Sequence, residues 1–252
     1  MGSVYIVDQL STGKQRAMKL MSAELASNER ARERFVLEAR VGARIESDHV
    51  VETVTAGIDE DTGMPYLVME LLKGEELADM IARDGALPLR DVAEILKQAG
   101  HALAQAHAQG IVHRDIKPEN LFIAESRREG VPFTVKILDF GIAKLVAERT
   151  QEGTQPIGTP LFMAPEQTDR RGRIAPTTDV WPLGLLAFHM LTGLYYWQSG
   201  HVGITALLRE VVMEPLEPAS ARAATYGLPH VIPSGFDGWF GRCVNRDPDA
   251  RF

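Results

Sequence analysis

The sequence predicts an α+β protein, with strand-forming residues gathered at the front of the chain and helix-forming residues dominating the rest. Three observations carry that expectation. Apolar residues alternate or run in short blocks up to Lys73 and Gly74. Beyond that point they recur at helical spacing. The 252 residues are enough to bury a full-sized core, either as one large domain or as two lobes sharing a cleft.

The elements follow in order. "SVYIV" and "QRAMKLM" read as strands on either side of "STGK", a hairpin turn in which Gly13 supplies a positive φ. The period then changes. In "SNERARERFVLEARVGARI" the charge density and the spacing of Phe35, Val36, Ala39 and Val41 predict an exposed amphipathic helix, capped by Ser27 or Asn28. Strand patterns return in "VVETVTAGI" and "MPYLVMELL". Helices begin at "EELADMIARDG" and continue from Pro88 to Gln109, where Val92, Ile95, Leu96, Ala99, Leu103 and Ala106 mark one buried face. Short strands are expected in "NLFIA" and "TVKILDF". "LVAERTQEGTQPIGTP" has no apolar period and several turn formers, so it reads as a long loop. "VWPLGLLAFHMLTGLYYW", Val180 to Trp197, is nearly long enough to cross a bilayer, but Pro182, Gly184, His189 and Gly193 favour a helix buried on all sides.

Composition excludes several classes of function. Apolar content of 45% and charged content of 24% belong to an ordinary globular protein. A net charge of −7 argues against general affinity for nucleic acid or an anionic membrane surface. Cys243 is the only cysteine, so no internal disulfide can form and a reducing cytoplasm fits best. The seven histidines show no metalloprotease or zinc spacing. Asp8 and Lys14 interrupt any N-terminal signal peptide, and Ile6 stands where a myristoylation signal needs Ser or Thr. Any membrane span would lie outside this chain.

Chemistry concentrates in "IVHRDIKPENLFI", in "DFG" beginning nineteen positions after Asn120, and in "APE" from Ala164 to Glu166. Each is weak alone. Asp139 by itself could be a turn or capping aspartate, Lys19 an edge-strand lysine that deters aggregation, and Glu38 a solvated helix carboxylate. Together and in this order they resemble the signature set of the protein kinases. The resemblance covers nearly the whole chain. It points to the catalytic domain of a bacterial-type, eukaryotic-like serine/threonine protein kinase, with a bacterial flavour in "GTPLFMAPEQ".

That resemblance implies a two-lobed fold, with residues 1–72 as a small strand-rich lobe and 73–252 as a larger helical one. It implies transfer of the ATP γ-phosphate to Ser or Thr hydroxyls of protein substrates, with Mg²⁺, for which Mn²⁺ can stand in. Positioning and charge neutralisation dominate such chemistry. Lys19 resembles the lysine that grips the α and β phosphates, and Glu38, rather than Glu29 or Glu33, the helix glutamate that pairs with it. Asp115 resembles the catalytic aspartate that orients the acceptor hydroxyl and takes its proton. Lys117 resembles the γ-phosphate lysine of serine/threonine kinases. Asn120 and Asp139 resemble the magnesium ligands, and oxygen donors suit a hard cation. Met69 resembles the residue at the back of the adenine pocket, with the backbone of Glu70 to Leu72 bonding the base. His113 and Phe140 are expected in the core.

For regulation, Arg114 is read as a buried arginine whose countercharge a phosphorylated Thr150 or Thr154 would supply, Thr154 being the better candidate. Thr159 resembles the residue that helps read Ser/Thr acceptors. Self-phosphorylation in trans fits this pattern. Glu166 and Arg251 resemble the pair that ties the activation segment to the lower lobe, and Asp179 the helix-capping aspartate that supports the catalytic loop.

Departures from the pattern remain. Gly42 falls where the family places an apolar side chain, and Pro182 where it places a small residue, although a first helical turn tolerates proline. "MGSV" matches the end of the glycine-rich loop, with Gly2 as its third glycine and Val4 over adenine. The first two glycines are absent, and "RDPDARF" falls short of the family's last helices, which reads as a domain cut at both ends. The alternative is therefore a kinase-like binding or scaffold module with weak or no catalysis. A small-molecule phosphotransferase is discouraged by the long loop ending in "APEQ", which resembles a peptide-docking segment.

Overall fold

The computed structural model describes residues 3–21, 39, 44–126, 130–140, 160–169 and 172–252. Among them the strands form two antiparallel sheets. β1 (Ser3–Gln9) and β2 (Lys14–Leu20) make the expected hairpin, with Gly13 at φ 65° and its N–H donating to Gln9 O. β3 (Thr53–Ile58) and β4 (Pro65–Glu70) complete a sheet in the order β1-β2-β4-β3. β4 runs through its interior with Pro65, Leu67 and Met69 buried and the alternate residues half-buried, as period-two patterning requires. Lys19 sits between Val4 of β1 and Leu67 of β4 in the register.

The second sheet, β5 (Gly74–Glu76), β6 (Leu121–Glu125) and β7 (Phe133–Ile137), corrects one expectation. Glu75 and Glu76, read as the start of a helix, pair instead with Ile123 and Phe122. Gly74 explains the difference. At φ 139° it lies so close to β6 that a Cβ would fall 2.1 Å from Ile123 O, and that approach carries the chain into the ladder before the helix begins.

Helices α1 (Leu77–Asp84) and α2 (Leu89–Ala108) then pack on this sheet. The predicted face of α2 is buried, with Leu96 partly so, and Gln98 adds a polar tie by accepting from Val135 N–H at 2.7 Å. β7 stops at Ile137, earlier than "TVKILDF" suggests, because Leu138 N–H turns to Asn120 O.

α3 (Val180–Thr192) is buried all round and ends at Gly193. No helix among the described residues is long and apolar enough to cross a membrane. α3 divides two apolar clusters instead. Leu186 and Met190 join α1, α2 and the second sheet on one side. Trp181, Phe188, Tyr196, Trp197 and Phe240 pack on the other, with α4 (Ile204–Val212), α5 (Ala219–Thr225) and α6 (Phe236–Cys243).

The two sheets are joined through residues 49–52. Ile137 N–H donates to His49 O, Val51 N–H donates to Ile137 O, and Lys136 Nζ meets Glu70 Oε1 at 2.5 Å. The helix predicted around Glu38 and the loop from Leu145 to Thr159 lie outside the described residues, apart from Ala39, which is helical.

Candidate active site

The site is built on an irregular loop, residues 111–117, that leaves α2 and enters a short 3₁₀ turn at Pro118–Asn120. Asp179, fully buried, organises this loop from below. Its carboxylate accepts from His113 N–H at 2.8 Å, from Arg114 N–H at 2.7 Å and from His107 Nε2 at 2.7 Å. These bonds are the expected support of the catalytic loop; at the N-terminus of α3 Asp179 makes no side-chain cap, so only the helix-capping part of its expected role is corrected.

His113 is a core residue, as expected. Its Nε2 donates to Leu138 O at 2.9 Å and its Nδ1 accepts from Asp115 N–H at 3.2 Å. Burial holds its pKa below the ordinary imidazole value, which keeps the ring neutral and the pair of bonds intact. Phe140 packs on the ring at 4.8 Å between centroids.

Asp115, Lys117 and Asn120 come together. Lys117 Nζ lies 3.0 Å from Asp115 Oδ2, and Asn120 Nδ2 donates to the same oxygen at 3.0 Å and to Asp115 O at 2.6 Å. Asp139 joins them because Leu138 N–H donates to Asn120 O at 2.8 Å. Its carboxylate is ion-paired with Lys19, which brings the first sheet onto the loop. Arg114 and Asp139 both hold positive φ, 67° and 49°. Neither is glycine, so the site keeps two residues in a left-handed backbone that costs about 1 kcal/mol each.

The donor set fits a hard divalent cation. With Nδ2 turned to Asp115, Asn120 directs its carbonyl oxygen elsewhere, and Asp139 offers carboxylate oxygens. Among the described residues no group of three or more His, Cys, Asp or Glu could hold a metal. A sparse oxygen set of this kind leaves coordination places to water and substrate phosphate, as Mg²⁺ prefers.

Other expected residues are distributed as follows. Met69 is buried in β4, and Val4 is exposed on β1. Leu72 lies in the short connection from β4 to β5. Glu70 turns its carboxylate to Lys136 and to Glu52 N–H, while its own N–H donates to Glu52 O. Arg114, expected to be buried, is half-buried. Glu166 and Arg251 form a two-pronged ion pair at 2.8 Å, with Arg251 also donating to Thr177 O and Asn245 O. Gly2, Glu38, Gly42, Thr150, Thr154 and Thr159 lie outside the described residues.

Three contributors escaped the sequence reading: His107 beneath Asp179, Lys136 behind Glu70, and Gln167, whose side chain reaches Arg114 O. No motif marks the first two. Gln167 was in view only as the last letter of "APEQ".

Comparison with known proteins agrees with this geometry. The family model described as protein kinase domain matches residues 1–252. The chain is 36% identical over 257 residues to a serine/threonine-protein kinase, drp72, of Corynebacterium efficiens, covering 100% of this chain and 46% of that protein. It is 37% identical over 237 residues to the serine/threonine-protein kinase Pkn1 of Myxococcus xanthus, covering 92% of this chain and 33% of that protein. The chain thus spans half or less of the length of these two relatives. The crystal structure of Rad53 1-466 in complex with AMP-PNP matches in fold with a TM-score of 0.76 at 24% identity, over 99% of this chain and 58% of that one.

Proposed function

Because the chain belongs to the protein kinase family, we propose that it transfers the γ-phosphate of ATP to Ser or Thr hydroxyls of protein substrates. One observation carries the reading. Asp115 is held by Lys117 and Asn120 within one hydrogen-bonded group that Asp139 and Lys19 complete.

In this reading residues 1–72 and 73–252 are the two lobes, and ATP lies between the sheets they contribute. The base rests near Met69, with Val4 and Gly2 over it. Glu70 N–H is already bonded to Glu52 O, so a donor to the base falls to Leu71 or Leu72. The ammonium of Lys19 is the charge for the α and β phosphates, and Glu38 is its partner from the helix. Asn120 and Asp139 would hold Mg²⁺, or Mn²⁺ in its stead, and the bound ion would neutralise phosphate charge as the bond breaks. Asp115 orients the acceptor hydroxyl and receives its proton as the oxygen bonds to the γ-phosphorus. The bond from that phosphorus to the β–γ bridging oxygen breaks, and ADP departs with the electron pair. Lys117 balances the charge that gathers beside Asp115.

Thr154, or Thr150, is the phosphorylation site in this reading, with the phosphate answering Arg114; Thr159 helps select the hydroxyl acceptor, and self-phosphorylation occurs in trans. The requirement for ATP and the single buried thiol favour the cytoplasm.

The test is Mg·ATP-dependent labelling of the chain and of a generic Ser/Thr protein, alongside Asp115→Asn. Label that appears with the native chain and vanishes with the variant supports the reading. Nucleotide binding without label transfer overturns it in favour of a kinase-like binding module.

A further inference from the structure

The turn Ala164–Thr168 is anchored by two adjacent side chains that reach in different directions. Glu166 holds Arg251 near the end of the chain. Gln167 reaches the catalytic loop instead. Its Oε1 accepts from Ala164 N–H at 3.0 Å, and its Nε2 donates to Arg114 O at 2.7 Å. One partner can only donate and the other can only accept, so the orientation of the amide is determined.

Arg114 O belongs to the peptide unit whose N–H is that of Asp115. This unit is rigid and planar, and it can reorient only by coupled rotation about ψ of Arg114 and φ of Asp115. Its oxygen is held by Gln167 and its N–H by His113 Nδ1. On its other side Arg114 is held by Asp179, which accepts from its N–H at 2.7 Å. A left-handed residue precedes this plane, at φ 67°. Releasing the oxygen would let the plane swing and carry the Asp115 carboxylate away from Lys117 and Asn120.

We infer that Gln167 is a positioning residue for Asp115, acting by clamping the Arg114–Asp115 peptide plane against His113. The catalytic consequence rests on the kinase reading of Asp115; the clamp itself does not. Misplacing a reacting group by about 1 Å can lower a rate by about a hundredfold, so a partial release corresponds to a loss of about tenfold to thirtyfold.

Two variants test it. Gln167→Glu keeps the acceptor for Ala164 N–H and removes only the donor to Arg114 O; Gln167→Met keeps the length and removes both bonds. Each is measured for kcat and KM for ATP, for thermal midpoint, and for hydrogen exchange at the Asp115 amide. The expected result is a loss in kcat of about tenfold to thirtyfold in both, with KM for ATP within about twofold. Exchange at Asp115 is expected to quicken by about tenfold, with little change in midpoint.

Native-like kcat in Gln167→Glu, or unchanged exchange at Asp115, would overturn the inference. So would a fall in kcat that merely follows a fall in midpoint, since that marks a structural role. If the native chain transfers no phosphate while exchange at Asp115 still responds, the kinase reading falls and takes the catalytic role of Gln167 with it, although the clamp stands.

Discussion

The first sheet and the helical body bury their apolar residues to different degrees. On β1, Val4, Tyr5 and Ile6 are 60%, 50% and 67% exposed, and the buried cluster beneath the sheet comprises Met21, Ala39, Leu67 and Met69 among the described residues. In the helical body Trp181, Leu186, Phe188 and Met190 are fully buried along a single helix. Asp115, Lys117, Asn120 and Asp139 lie in the part of the chain that carries the helices and the second sheet, while Lys19 lies in the first sheet. Asp115 is held by Lys117 and Asn120 from its own neighbourhood in the chain, whereas Lys19 is held by the register of β2 with β1 and β4 and by an ion pair across to Asp139.

The sharpest test of that division compares Asp115→Asn with Lys19→Met. Asp115→Asn is expected to lower kcat by about 10³-fold while leaving affinity for ATP nearly unchanged. Lys19→Met is expected to weaken nucleotide binding as well, and titration of ATP against each variant separates the two. Equal losses of ATP affinity would break the comparison.

Next in size is Arg251→Ala. It strands the Glu166 carboxylate, 8% exposed at its side chain, and is expected to lower unfolding free energy by about 3–5 kcal/mol in a urea titration.

Acid should act on the body in the same direction but less abruptly. Burial lowers the pKa of His113 and of His189, so below the ordinary value of 6.5 the unfolded chain binds protons that the folded chain refuses. The contribution is fully present above that pH and is lost progressively below it, as pH falls through the lower folded-state values, which a series of thermal melts would record.

The smallest effect is expected on the sheet. Ile6→Thr removes an exposed side chain from β1 and should change stability by less than about 0.5 kcal/mol. A larger loss would mean that the outer strand is covered in solution.

Much of this architecture was legible in advance, for reasons that differ by element. α2 declares itself through twenty residues of helical periodicity, and β4 through a short continuous apolar run, Tyr66 to Met69. β5 does not, since three residues containing two glutamates carry no period, and only the approach of Gly74 to Ile123 O settles them as strand. In the site, the grouping of Asp115, Asn120 and Asp139 was legible because the motifs that carry them stand in a fixed order along the chain. Gln167 was not, because its partner is a backbone oxygen 53 residues away, and a carbonyl leaves no trace in a sequence. Lys136 and Glu70 are hidden for a related reason. They stand 66 residues apart, in two sheets whose relative placement depends on residues 49–52. Asp179 was legible as the support of a loop more than sixty residues earlier in the chain, but the helix cap expected of it is absent.

The left-handed backbones of Arg114 and Asp139 set a direction for laboratory evolution. Glycine relieves the steric conflict of such a backbone and asparagine tolerates it, so a population screened only for heat resistance should drift toward those residues at both positions. Variants that take Gly or Asn at 139 would lose the carboxylate that meets Lys19. If the chain acts as proposed, its hardiest descendants would then be its most inert, and thermal selection without a test of turnover would select against the site while preserving the fold.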